Sequence, residues 1–173
     1  GALPPEYRSW AATVKIAVLL SGGVDSSLAL ALLSRDKSLD LKAYYLKIWL
    51  EEELAFLGDC PWESDLTYAR KTCEKLDVPL EIMPLQSEYR KQIVEHALAE
   101  LRRGRTPSPD IFCNQRIKFG TFYRRIEDEC DKIASGHYAR IDESPDGATL
   151  RRAPDPIKDQ TYFLSNLSRA QLG

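Results

Sequence analysis

The chain has 173 residues, 43% of them apolar and 29% charged, which is enough to build one core without disulfide or metal staples. Those proportions exclude a disordered tail and a collagen-like fibre, and the longest apolar runs, Ile16–Leu20 and Leu28–Leu33, are too short to cross a bilayer. Lys and Arg total 24 against 26 acids, so a uniformly basic nucleic-acid binder is excluded, whereas a locally basic face is not.

Gly1–Trp10 is aperiodic and contains prolines; residues 1–13 read as a leader or cloning remnant. Lys15–Leu20 is a near-continuous apolar run, the pattern of a parallel strand covered on both faces. A helix over Ser26–Ser34 follows, then a strand over Leu41–Trp49, rich in β-favouring bulk. Ser64–Leu76 places Leu66, Ala69, Cys73 and Leu76 at helical spacing, with Ser64 as the expected cap. Val78–Met83 reads as a strand, Glu88–Leu101 and Asn114–Ile126 as amphipathic helices, and Asp131–Ala134 as a short strand. Strands and helices alternating in this way predict a doubly wound α/β parallel sheet over residues 14–141. Residues 142–173 read as a short β-rich extension. Within Arg140–Arg151 a hairpin is expected to turn at Pro145-Asp146-Gly147, and a short helix is expected near Ser165.

Charge is unevenly laid out. Glu51 to Asp65 holds six acids and no base, and reads as a solvated face. Ala99 to Arg125 holds seven bases (Arg102, Arg103, Arg105, Arg116, Lys118, Arg124 and Arg125), a surface suited to phosphates. The four cysteines, Cys60, Cys73, Cys113 and Cys130, form no C-x-x-C pair, so free thiols are expected and no structural zinc.

Between the first strand and first helix stands Ser21-Gly22-Gly23-Val24-Asp25-Ser26-Ser27. Two glycines allow a tight turn and close approach of a ligand to the backbone. Successive amides and the helix N-terminus favour an anion, and the serines add hydroxyls. No lysine follows the glycines, which separates this loop from the Walker pattern and makes nucleotidyl transfer more natural than γ-phosphoryl transfer. A second distinctive stretch, Gly104–Asn114, sets Asp110 and Cys113 three residues apart, just ahead of the predicted helix. A thiol at a helix start among arginines has its thiolate favoured. Residue types alone leave Cys113 either a nucleophile or a buried core thiol.

The glycine loop resembles the SGGxDS loop of the N-type ATP pyrophosphatases. With Leu46-Lys47-Ile48-Trp49, the Asp110/Cys113 stretch, Ala134-Ser135-Gly136-His137-Tyr138-Ala139-Arg140 and Lys158-Asp159-Gln160-Thr161-Tyr162-Phe163, the chain resembles the tRNA-specific 2-thiouridylases. The resemblance implies an adenine nucleotide alpha hydrolase-like fold and ATP-dependent 2-thiolation of a wobble uridine. The uridine C2 oxygen would be adenylated and sulfur would come from a cysteine persulfide. It implies ATP and Mg²⁺ as cofactors, with tRNA and a persulfide sulfur donor as partners, and no membrane. By the same resemblance Leu19, Leu20, Ser21, Gly22, Gly23, Val24, Asp25, Ser26, Leu46 and Gly136 would hold the nucleotide. Cys113 would be the nucleophile and Asp110 the acid/base; Ser108, Pro109, Asp110, Lys158, Asp159 and Gln160 would meet the tRNA. Ser108 stands where the family usually has asparagine. The family's second cysteine lies downstream and is matched by none of Cys60, Cys73 and Cys130, so a truncated chain is expected, inactive by itself. The expected compartment is the cytoplasm, or an organelle interior if Gly1–Trp10 is a transit-peptide remnant. Two other classes fit the loop alone: a small-molecule adenylating synthetase, and a nucleotide-binding module without catalysis.

Overall fold

The computed structural model describes residues 13–48 and 61–172. Its centre is a parallel sheet of β1 (Val14–Leu19), β2 (Leu39–Lys47), β3 (Leu80–Pro84) and β4 (Lys132–Ala134), in the order β3-β2-β1-β4. The side chains of a strand alternate between faces, and both faces are covered here. Ala17, Leu19 and Tyr44 enter one core, whereas Val18, Leu20, Ala43 and Tyr45 enter the other. That double burial is why β1 reads as an unbroken apolar run. Helices α1 (Val24–Leu33) and α2 (Pro61–Leu76) supply Leu30, Leu66, Ala69 and Cys73 to the second core. The first core is closed by α3 (residues 86–102) and α4 (residues 109–126), through Ile93, Cys113, Ile117, Phe122 and Ile126. The doubly wound α/β fold expected from the sequence is therefore observed.

Both helices on the first face change pitch part-way. In α3 a π turn over Arg90–Val94 interrupts the α-helix, and in α4 the π stretch runs from Cys113 to Phe122. The wider pitch leaves carbonyls for side chains to meet. Gln171 Nε2 donates to the carbonyls of Gln115 and Phe119 at 2.9 and 2.8 Å. Asn114 Nδ2 donates to the Phe163 carbonyl at 3.0 Å. These bonds dock the segment from the 3₁₀ turn Thr161–Leu164 to α5 (Arg169–Leu172) onto α4. The hairpin forms as expected, β5 (Arg140–Asp142) pairing antiparallel with β6 (Thr149–Arg151), and Gly147 takes φ +108° at the turn. The short helix expected near Ser165 is α5, which starts four residues later, at Arg169, after the 3₁₀ turn.

Several boundaries differ from the sequence reading. Helix α1 begins at Val24 rather than Ser26, because the second glycine already occupies the cap position in extended conformation. Helix α2 begins at Pro61, so Ser64 lies inside it and does not cap it; proline suits a first turn, where its missing N–H costs nothing. The largest difference is at α4, which begins at Pro109 rather than Asn114 for the same reason. Asp110 and Cys113 are therefore helical residues, not members of a preceding loop. Trp49, Cys60 and most of the acidic run lie outside the described residues. Among the described residues no helix is long and apolar enough to cross a membrane.

Candidate functional site

The sheet order reverses between β1 and β4, and open α/β sheets bind ligands outside the carboxyl ends of their strands at such a switch point. A cavity of about 370 Å³ opens there. The end of β1 and the glycine turn supply Leu19, Leu20, Ser21, Gly23, Val24, Asp25 and Ser26 to its wall. Leu46 closes it from β2, Ser135, Gly136 and His137 from the end of β4, and Cys113, Ile117 and Lys118 from α4. The glycine loop and the cysteine, 87 residues and more apart in the chain, thus face one space.

The turn is built for close backbone approach. Gly22 has φ +84°, and a Cβ there would collide with the Asp65 carbonyl of α2. Gly136 is as tightly placed, for a Cβ on it would come 2.6 Å from the backbone of Asp25 and Ser26. Ser26 Oγ donates to the Gly23 carbonyl at 3.0 Å and accepts the Ser21 amide at 3.2 Å, so this hydroxyl fixes the turn. No side chain caps α1. Its first-turn amides are therefore left for an anion, as the sequence suggests. Asp25 and Asp65 are the carboxylates in the wall. Two carboxylates beside a phosphate cradle fit Mg²⁺, which is usually held by one or two carboxylates together with substrate phosphates. Among the described residues no cluster of three or more His, Cys, Asp and Glu could hold a metal by itself.

The chemistry around Cys113 corrects one expectation. The thiol is buried, at 9% exposure, and burial pushes its pKa up from the ordinary value. The Lys118 charge opposes that shift and the Asp110 carboxylate adds to it. The thiolate is thus not favoured here by the helix start, because Cys113 sits on the inward face of the second turn of α4, against the core. Asp110 is exposed, on the first turn, and does not line the cavity. Cys73 is buried in the second core and Cys130 packs against the first, as their apolar settings suggest.

His137 borders the same space, with Ser135 Oγ 2.8 Å from its Nδ1. Burial and then the Lys118 charge lower its pKa to about 4, which keeps the imidazole neutral. Two residues of the wall escape a sequence reading. Lys118 belongs to the basic run yet points its charge at the cavity groups, and Asp65 belongs to a run read as solvated. The rest of the basic run is largely engaged. Arg103 and Arg105 both pair with Glu100 at 3.0 Å, Arg116 bonds the Gln92 carbonyl, Arg124 bonds Thr121, and Arg125 pairs with Glu88. At the rim, Gln160 exchanges hydrogen bonds with the Tyr138 backbone, and Asp159 is held by Arg152 and the Thr161 amide. The Thr161 hydroxyl, then Arg152 and the Thr161 amide, keep the Asp159 carboxyl well below the usual carboxylate range.

Fold and site together define a doubly wound α/β domain with an anion-receptive glycine turn at its switch point. Residues 14–173 match the tRNA methyl transferase HUP domain family, and the chain belongs to that family. It is 42% identical over 159 residues to the tRNA-specific 2-thiouridylase MnmA of Akkermansia muciniphila, across 91% of this chain and 44% of that protein. The identity to the tRNA-specific 2-thiouridylase MnmA of Ruthia magnifica subsp. Calyptogena magnifica is 43%, across 91% and 43%. The chain thus spans less than half the length of the curated relatives it matches. Among solved structures, the U34-tRNA thiolase NcsA from Methanococcus maripaludis is 27% identical, with a TM-score of 0.49 over 72% of this chain and 38% of that one. The family resemblance seen in the motifs is borne out at the level of sequence.

Proposed function

We propose that this chain carries the nucleotide-binding and uridine-activating part of a tRNA-uridine 2-sulfurtransferase. The observation that carries the reading is the shared cavity: the phosphate-type turn after β1 and the Cys113 thiol of α4 open into the same space. A synthetase acting on a small carboxylate, or a module that only binds a nucleotide, has no need of a thiol there.

The wall residues divide the work. First-turn amides of α1 and the Ser21–Ser26 turn hold the phosphates, and Asp25, with Asp65 nearby, holds the accompanying Mg²⁺. Leu46 and Gly136 border the adenosine. ATP supplies the adenylyl group that makes the uridine C2 oxygen a leaving group. Ser108, Pro109 and Asp110 at the start of α4, with Asp159 and Gln160 after the β5–β6 hairpin, meet the tRNA. A neutral uracil is a poor nucleophile at its C2 carbonyl, and Asp110 accepts the N3 proton as that oxygen reacts. Cys113 then acts in the sulfur-transfer step, supplied by a persulfide donor, and Lys118 favours its thiolate against the cost of burial.

The test is tRNA-dependent release of pyrophosphate from ATP, with a substrate tRNA carrying uridine at the wobble position and a matched tRNA carrying cytidine there. Release only with the uridine form is expected. In an enzyme that contains this chain and is competent for thiolation, release with neither, or equally with a small carboxylate and no tRNA, would overturn the assignment.

A further inference from the structure

The glycine loop has no lysine of its own, and its one charged side chain, Asp25, is negative. Phosphates brought to such a loop need a cation from elsewhere. The fold supplies one from 133 residues away: Lys158 Nζ lies 2.7 Å from Asp25 Oδ2. The same ammonium sits over the Tyr138 ring, 4.4 Å from its centroid. Asp25 accepts one of its three N–H donors, and among the described residues the other two make no hydrogen bond.

The position of Lys158 is fixed from both sides. Its amide and that of Ile157 donate to Asp155 Oδ1 at 3.0 and 2.8 Å. Asp159 is tied to Arg152 at 2.8 Å, and Gln160 to the Tyr138 backbone at 2.8 and 3.0 Å. Tyr138 follows Gly136, whose backbone packs on Asp25 and Ser26. Two distant segments therefore converge on the loop and set the ammonium at its acidic residue. Asp25 also raises the Lys158 pKa, which keeps the lysine charged. A half-exposed ion pair contributes little to stability, so this convergence has a poor rationale as a brace alone.

We infer that Lys158 is the phosphate-binding lysine of this loop, delivered from the segment after the β5–β6 hairpin and held in place by Asp25. The inference rests on the reading that the Ser21–Ser26 turn binds ATP. It assigns Lys158 to the β- and γ-phosphates, and leaves the tRNA-facing rim to its neighbours.

The experiment is calorimetric titration of the chain with ATP, inorganic pyrophosphate and AMP, for the unaltered protein, Lys158→Gln and Lys158→Arg. Loss of one charge-assisted contact should weaken ATP and pyrophosphate binding by about 10- to 100-fold in Lys158→Gln. AMP, which lacks the outer phosphates, should bind the variant nearly as before, and Lys158→Arg should recover most of the ATP affinity. Unchanged ATP affinity in Lys158→Gln overturns the lysine assignment and leaves the nucleotide site standing. Equal losses for ATP and AMP overturn it too, since they mark a general collapse of the site. An unaltered chain that binds neither ATP nor pyrophosphate overturns this assignment and the nucleotide reading together.

Discussion

Gly136 packs its Cα against the peptide that joins Asp25 to Ser26, so that any side chain on it would stand 2.6 Å from backbone atoms on the loop. The end of β4 thus holds the glycine turn that follows β1, and neither side is a flexible side chain that could move aside. This contact joins the two strands between which the sheet order reverses. Gly136→Ala should force the two backbones apart, at a cost of about 1–3 kcal/mol for an overpacked site. Thermal unfolding should show the loss of stability, and ATP affinity should fall with it, while Gly104→Ala, where a Cβ meets nothing, tests the backbone strain of a positive φ alone. Unchanged ATP affinity in Gly136→Ala would separate the β4 end from the nucleotide site.

Most of the scaffold is legible in the sequence, because burial on both faces leaves an unmistakable apolar strand at Lys15–Leu20, and because helical spacing is plain at Leu66, Ala69 and Cys73. The glycine turn is legible too, since only glycine tolerates the approach of Asp65 to Gly22. The start of α4 is not. Pro107 and Pro109 read as loop residues, yet Pro109 opens the helix, and this moves Cys113 from a helix start to an inward face. Burial is a tertiary property, and it reverses the expected shift of the thiol. Nor does local pattern reveal that Lys158 meets Asp25, a contact made by the long-range docking of a segment with no periodicity.

The basic run makes a quantitative prediction about tRNA. Arg103 and Arg105 share Glu100, whereas Arg102 is exposed with no hydrogen bond or ion pair among the described residues. If this end of α3 tracks phosphates, each contact removed should lower the slope of log affinity against log salt by about one. Arg102→Glu should therefore flatten the slope, and Glu100→Gln should strengthen binding at low salt by releasing two guanidinium groups from their shared acid. Filter binding of tRNA over a salt series measures both. A slope indifferent to Arg102 would make the run a solvated face.

His137 predicts a pH dependence of stability. Its pKa is lowered to about 4 in the folded chain against 6.5 unfolded, so between those values the unfolded state binds more protons. Stability contributed by the neutral ring is present above pH 6.5 and is lost as pH falls toward 4. Urea midpoints measured from pH 7 to pH 4.5 should drop more steeply for the unaltered chain than for His137→Gln, whatever the starting stability of the variant. Parallel curves would mean that the ring is not buried in its neutral form.

Asp110 and Cys113 stand one helical turn apart, and their charges act on one another with a sign that can be measured. The Cys113 thiol is raised above its ordinary value by burial, lowered by Lys118 and raised by Asp110. Alkylation by iodoacetamide should therefore be slow at pH 7 and accelerate into the alkaline range. Lys118→Gln should move that profile to higher pH, whereas Asp110→Asn should move it lower. The proposed roles of the two groups predict failure at different steps of turnover. In an enzyme competent for thiolation, Cys113→Ser should still release pyrophosphate in the presence of tRNA and deliver no sulfur. Asp110→Asn should slow pyrophosphate release itself by about 10²- to 10⁴-fold, the usual worth of a positioned proton acceptor. The measurement is paired: pyrophosphate by coupled assay, and 2-thiouridine by mass analysis of digested tRNA. Normal 2-thiouridine from Cys113→Ser would remove the thiol from the mechanism, and undiminished pyrophosphate release from Asp110→Asn would remove the carboxylate from the first step.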